Sequence, residues 1–176
     1  MTNQIFVSLL RFFGMHAPMQ NLRVIMYRKA GVKIGTPFTF GSNIFIDLGR
    51  KVSADSTEDP LSVTIGNDVI LAGYIHILTH SSVLWGIKDE GGSVLIKDGA
   101  RIGVNVTILP GVKIGENAAI GAGSLVNKSI PDNVIAVGVP AKPIKRHHFR
   151  KHELCRNFNP SEMVREVETI KEDEDA

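Results

Sequence analysis

From Ile102 to Pro131 the chain reads IGVNVT, ILPGVK, IGENAA, IGAGSL, VNKSIP, a run of six-residue blocks in phase. Ile or Val opens each block, Gly is common in the second place, and Val, Ala, Ser or Ile fills the fifth. The same phase holds from Ile34 (IGTPFT, FGSNIF) and from Ile65 (IGNDVI, LAGYIH, ILTHSS). A half-buried strand alternates with period two and a helix repeats near 3.6, so period six with a phased Gly is neither. It fits short strands joined by tight turns, one aliphatic of each pointing inward. Gly beside that aliphatic tolerates unusual dihedrals and turns the backbone without a Cβ clash. Three such strands close one triangular coil of about 18 residues, and stacked coils stack their aliphatics into a column. Burying one such side chain contributes about 1.5–3 kcal/mol, so the column supplies a core that no single block could build. A β-sandwich with Gly-rich turns would not keep one phase over so many blocks.

The phase breaks twice. Ile46 to Ile65 is 19 residues, one coil plus one, which places a short excursion in GRKVSADSTEDP (49–60). Val83 to Ile96 is 13 residues, and LWGIKDEGGSV (84–94) matches the repeat poorly. That stretch reads as a loop leaving the prism, and loops on rigid scaffolds are where binding residues concentrate.

The flanks are helical in pattern. Residues 18–30 set Leu22, Ile25 and Met26 at helical spacing with Gly31 as the stop. Residues 159–173 offer Ser161 as N-cap and Met163, Val164, Val167 and Ile170 along one face. Each would cover an open end of the coil stack, which otherwise presents unpaired strand edges. The expected organisation is a helical segment over 1–31, the coil domain over 32–146, and a basic segment, helix and acidic tail over 147–176.

The chain has 176 residues, 43% hydrophobic and 22% charged, which suits one soluble globular domain with short flanks. A formal charge of +2 gives no ground for a nucleic-acid partner. The single cysteine, Cys155, excludes an intramolecular disulfide and fits a reducing compartment. The apolar run from Ile5 to Phe13 is too short to span a bilayer, which takes about 20 residues. Lacking a basic lead and a cleavage site, it is no secretory signal, so the expected location is cytoplasmic. Packing on the protein is the favoured role of residues 1–13, with rest on a membrane surface as the alternative.

The blocks, together with GVKIGENAAIGAGSLVNKSIPDNVIAVGVPAKPIK, closely resemble the hexapeptide-repeat acyltransferases over about residues 22–146. The lead-in RVIMYRKAGVKIG is similar to that of capsule and colanic-acid O-acetyltransferases. The resemblance implies an all-β, left-handed parallel β-helix with short N- and C-terminal helices, against the usual right-handed crossover sense. It also implies a homotrimer with active sites between subunits, acetyl-CoA as acyl donor laid along the coils, and no metal.

In the family a His in a stretch resembling ILTHS is the general base, and His80 stands at that position. Its ordinary pKa of about 6.5 keeps a neutral nitrogen available near pH 7. Ser81 or Ser82 would orient the ring or touch the acceptor, although many relatives carry an acid at the first of these. His76 is structural or acceptor-lining, and Trp85, the only Trp, stacks on a sugar or packs at a subunit interface. Carry-over along the repeat assigns Gly103, Val104, Ala122, Asn127 and Lys128 to the pantetheine arm. Relatives often carry Ser and Thr where this chain has Val104 and Asn127. Lys142 and Lys145 fall where relatives place cations near the CoA phosphates. Solvated charge is the plain alternative, and Arg146 could substitute for either.

The implied activity is O-acetylation of a sugar or polysaccharide-precursor hydroxyl by direct transfer. The alternatives are N-acetylation of an amino nucleotide-sugar, a γ-type carbonic anhydrase, and a non-catalytic trimeric scaffold. The anhydrase needs three protein ligands on zinc, and the coils offer only His76 and His80.

Overall fold

A computed structural model describes Leu9, Phe12 and residues 19–48, 62–80 and 91–146. Fourteen strands appear among these residues. The first coil holds β1 (Lys33–Ile34), β2 (Phe38–Ser42) and β3 (Phe45–Asp47), and the second β4 (Val63–Ile65), β5 (Val69–Gly73) and β6 (His76–Leu78). The third holds β7 (Val94–Ile96), β8 (Arg101–Ile102) and β9 (Thr107–Ile108), and the fourth β10 (Lys113–Ile114), β11 (Ala119–Ile120) and β12 (Leu125–Val126). The stack closes with β13 (Val134–Val137) and β14 (Lys142–Arg146).

Strands of the same rank pair in parallel and make three faces. Face A is β1-β4-β7-β10, face C is β3-β6-β9-β12, and face B runs β2-β5-β8-β11-β13-β14. Only the last pair, β13 with β14, is antiparallel. This is the parallel β-helix expected from the repeat.

Its interior is built from two columns per block. The first places, including Ile65, Leu71, Ile77, Ile96, Ile102, Ile108 and Ile114, are buried. So are the fifth places Ile44, Val69, Ile75, Val106, Val112, Ala118 and Ser124. Ser124 is tolerated because its hydroxyl donates to Gly121 O at 2.7 Å and accepts from Gly138 N at 3.1 Å.

The second-place glycines are required by stacking rather than by unusual dihedrals. A Cβ on Gly115 would lie 2.4 Å from Asp132 N, and one on Gly103 2.7 Å from Ala122 N. The left-handed turn conformation falls instead on the fourth place. Asn43, Asp68, Tyr74, Asn105 and Asn117 have φ between 52° and 56°, and Gly111 and Gly123 share that sign. Asn, Asp and Gly reach this region at least cost, hence their recurrence there.

Helix α1 (Gln20–Lys29) confirms the N-terminal element, and Gly31 at φ 103° ends it, with Val32 N donating to Tyr27 O at 3.0 Å. The buried face differs from the expected one. Val24 and Tyr27 are buried, whereas Ile25 is 46% exposed. The Tyr27 hydroxyl donates to Ile44 O, and Arg28 Nη2 donates to Ile34 O at 2.7 Å, so backbone acceptors of the first coil set the helix rotation. The expected C-terminal helix, with Ser161 as its expected cap, and Cys155 lie outside the described residues. No helix among the described residues is long and apolar enough to cross a membrane.

Both phase breaks fall at one corner, between faces C and A. Because β1 pairs with β4 and β3 with β6, no coil intervenes after Ile46, contrary to a reading of one coil plus one. Ile46 to Ile65 and Ile77 to Ile96 each take 19 residues, where the regular corner from Ile108 to Ile114 takes six. Gly92 N donates to Thr79 O at 2.8 Å, so His80 is the first residue beyond the joined feet of the second excursion.

Candidate functional site

Face C brings the first and second coils together in the register Phe45↔His76, Ile46↔Ile77, Asp47↔Leu78. Alternation sends Phe45 and Asp47 outward on one strand and His76, Leu78 and His80 outward on its neighbour. Thr79 points inward, fully buried, and its Oγ1 donates to Asp47 O at 2.8 Å.

His80 and Asp47 meet above this tie. His80 Nδ1 lies 3.0 Å from Asp47 Oδ2, with the side chains 33% and 20% exposed. The oxygen lies off the line of a hydrogen bond from that nitrogen, so the two groups are in close contact without an in-line hydrogen bond. A carboxylate there favours the proton on Nδ1 and leaves the Nε2 lone pair open to accept another. Sequence reasoning missed Asp47, 33 residues before His80, because its partnership exists only once the coils stack.

The other expected site residues fall into three places. Asn127 and Lys128, both exposed, follow β12 at the same C–A corner as His80. Gly103, Val104 and Ala122 lie at the opposite edge of face C, the B–C corner, in the third and fourth coils. Gly103 stacks directly against Ala122, and Gly123 N donates to Val104 O at 2.9 Å. His76 is exposed on face C, its ring centroid 5.8 Å from that of Phe45. Ser81 and Trp85 lie outside the described residues.

Lys142 and Lys145 stand on β14. Three residues apart, they would face opposite ways in a regular strand. The register shift between Ile135 and Ala136 pairs Lys142 with Val137 and Lys145 with Ile135, two positions on the outward side of β13. The irregularity therefore brings both ammonium groups to one face. Arg146 pairs with Val134, whose side chain is buried. Among the described residues no three His, Cys, Asp or Glu side chains gather as a metal site.

At the B–C corner Gly103, Ala122 and Gly123 leave backbone close to the surface. Nothing lies within 4 Å of where a Gly123 Cβ would be.

Comparison with known proteins agrees with this architecture. Residues 93–128 match the bacterial transferase hexapeptide (six repeats). The chain is 37% identical over 136 residues to a galactoside O-acetyltransferase of Escherichia coli (strain K12), covering 72% of this chain and 66% of the relative. It is 31% identical over 159 residues to the putative lipopolysaccharide biosynthesis O-acetyl transferase WbbJ of the same strain, covering 73% and 81%. The crystal structure of a maltose O-acetyltransferase from Clostridium difficile 630 superposes with a TM-score of 0.64 at 27% identity, covering 84% of this chain and 88% of that one. That likeness bears out the left-handed parallel β-helix. The chain spans 59% and 66% of the length of the first curated relatives it matches. With the repeat, the coil architecture and a relative covered over four-fifths of its length, the chain belongs to the hexapeptide-repeat acyltransferase family.

Proposed function

We propose that this chain is an acetyl-CoA-dependent O-acetyltransferase acting on a hydroxyl of a sugar or polysaccharide precursor. The observation that carries the reading is the carboxylate of Asp47 3.0 Å from His80 Nδ1, at the corner from which both excursions leave. His80 Nε2 takes the acceptor O–H proton as the oxygen attacks the thioester carbonyl carbon. The C–S bond then breaks, and Nε2 returns the proton to the departing sulfur. General-base help of this kind contributes about 10²–10⁴-fold.

Gly103, Val104, Ala122, Asn127 and Lys128 hold the pantetheine arm in this reading, and Lys142 and Lys145 meet the phosphates. Gly103 and Ala122 suit the arm because short side chains admit close backbone approach. Ser81 and Trp85 belong to the acceptor end. The working form is a cytoplasmic homotrimer with sites between subunits. Sugar O-acetylation is supported by the galactoside, maltose and lipopolysaccharide acetyltransferases among the relatives.

The test is thiol release from acetyl-CoA across a panel of hydroxyl and amino acceptors. Activity with sugar hydroxyls that His80→Ala abolishes, while the variant remains folded, is the expected result. Full activity in His80→Ala removes the residue from the base role. Activity confined to amino nucleotide-sugars replaces O- with N-acetylation.

A further inference from the structure

Among the described non-glycine residues with positive φ, five are Asn or Asp and the sixth is Tyr74, at 52°. A bulky residue in this region is strained, and such strain persists where the surroundings or a function demand the side chain. Tyr74 is 59% exposed, so its ring gains little from packing. It occupies the fourth place of its block, where Asn43 and Asn105 serve the same corner in the coils on either side.

Tyr74 opens the strand that leads to His80. Two residues on stands His76, stacked at 5.8 Å and a 56° tilt on Phe45, itself 38% exposed. Phe45, Asp47, His76, Leu78 and His80 share the outward side of face C. Along the strand His76 and His80 are about 13 Å apart, from a rise of about 3.3 Å per residue. A ring resting on the aromatic pair therefore cannot be the ring whose hydroxyl reaches His80. It is a neighbour of that ring in the same chain.

We propose that Tyr74, His76 and Phe45 form a subsite for a second sugar unit, so that the acceptor is an oligosaccharide or polymer rather than a free monosaccharide. The apolar face of a pyranose packs on the Phe45 and Tyr74 rings, and His76 offers ring nitrogens to its hydroxyls. The occupant is argued from continuity: Phe45 and His76 lie on the same outward side of face C as the Asp47–His80 pair, and the exposed Tyr74 stands at the corner two residues before His76. The proposal rests on the acetyltransferase reading for the chemistry at His80, but its binding arm does not require turnover.

The experiment titrates the full chain carrying His80→Ala with hexasaccharides of β-linked glucose, galactose and N-acetylglucosamine, and with the matching monosaccharides. At least one hexasaccharide is expected to bind more tightly than its monosaccharide. Adding Tyr74→Asn or Phe45→Ala weakens that binding on the order of tenfold, the scale of losing an aromatic anchor. Tyr74→Asn places a residue that accepts positive φ, so its melting temperature holds or rises while affinity falls. A merely structural Tyr74 would not show that opposition. In the active protein the same variants lower the kcat/KM ratio of hexasaccharide to monosaccharide. The proposal is overturned if no hexasaccharide outbinds its monosaccharide, or if both substitutions leave the affinity unchanged. Retained activity in His80→Ala would instead defeat the base assignment and leave the subsite standing.

Discussion

Thr79 and Asp47 are joined across two coils by a 2.8 Å hydrogen bond from the Thr79 hydroxyl to the Asp47 carbonyl, beneath the contact of Asp47 with His80. The buried hydroxyl thus sets the height of the carboxylate-bearing strand against the strand that carries the base. Thr79→Val keeps the shape and removes the donor. It is expected to cost about 0.5–1.5 kcal/mol in urea unfolding, the net contribution of one hydrogen bond, and to lower kcat more than it raises KM. Thr79→Ser should restore most of both.

Asp47→Asn removes the charge beside Nδ1 while preserving volume. The expected result is a fall in kcat on the order of 10–10³-fold with a fold unchanged by circular dichroism. An unaltered rate would show that the ring is held by other contacts.

The division of labour within each block is testable by unfolding. Gly115→Ala puts a Cβ 2.4 Å from the backbone nitrogen of Asp132 and should destabilise by about 1–3 kcal/mol. Asn105→Gly, at the fourth place with φ 56°, should stay within about 0.5 kcal/mol, since Gly reaches that conformation freely. Equal costs at the two sites would contradict the assignment of sterics to the second place and dihedral to the fourth.

Asp132 gives the stack an acid-sensitive edge. Its carboxylate accepts from Glu116 N at 2.7 Å and from Lys97 Nζ at 3.0 Å, and these bonds hold its pKa below the ordinary value of 3.8. A folded pKa lower than the unfolded one contributes stability above the unfolded value, lost as pH falls through the folded one. Asp132→Asn should therefore reduce stability near neutral pH slightly and flatten its decline below about pH 4. The side chains of Lys97 and Asp132 are about half-exposed, so the effect should shrink in salt.

Lys142 and Lys145 share one face only because the strand pairing shifts. Charge reversal of either, Lys142→Glu or Lys145→Glu, should raise KM for acetyl-CoA several-fold with kcat little changed, and the increase should diminish at high ionic strength. Deleting Ile144, the extra residue of the irregularity, leaves the two lysines two positions apart in a regular strand and still on one face, so KM for acetyl-CoA should stay close to that of the parent chain.

How much was legible in advance differs by element. Ile65, Ile102 and Ile114 announced the coils because a buried column imposes its period on every block that contributes to it. Gly31 marked the helix end for an equally local reason. Helical spacing puts Ile25 on the inner face, yet it is exposed: which face of α1 is buried depends on Tyr27 reaching Ile44 O, a contact made only after the first coil exists. The 19 residues from Ile46 to Ile65 read as one coil plus one because residue spacing does not say which strands pair.

The repeat in the sequence therefore determined the β-helix, its inward residues and His80 as the candidate base, since period and motif are properties of neighbours along the chain. Tertiary structure alone decided that Asp47 stands beside His80 and that both excursions leave from one corner. It also decided that Gly103 and Ala122 lie across face C from Asn127 and Lys128, and that Lys142 and Lys145 face the same way. The physical reason is common to all of these. In a stacked coil, residues far apart in sequence become neighbours through inter-coil hydrogen-bond register, and the insertions between coils hide that register from any reading of spacing.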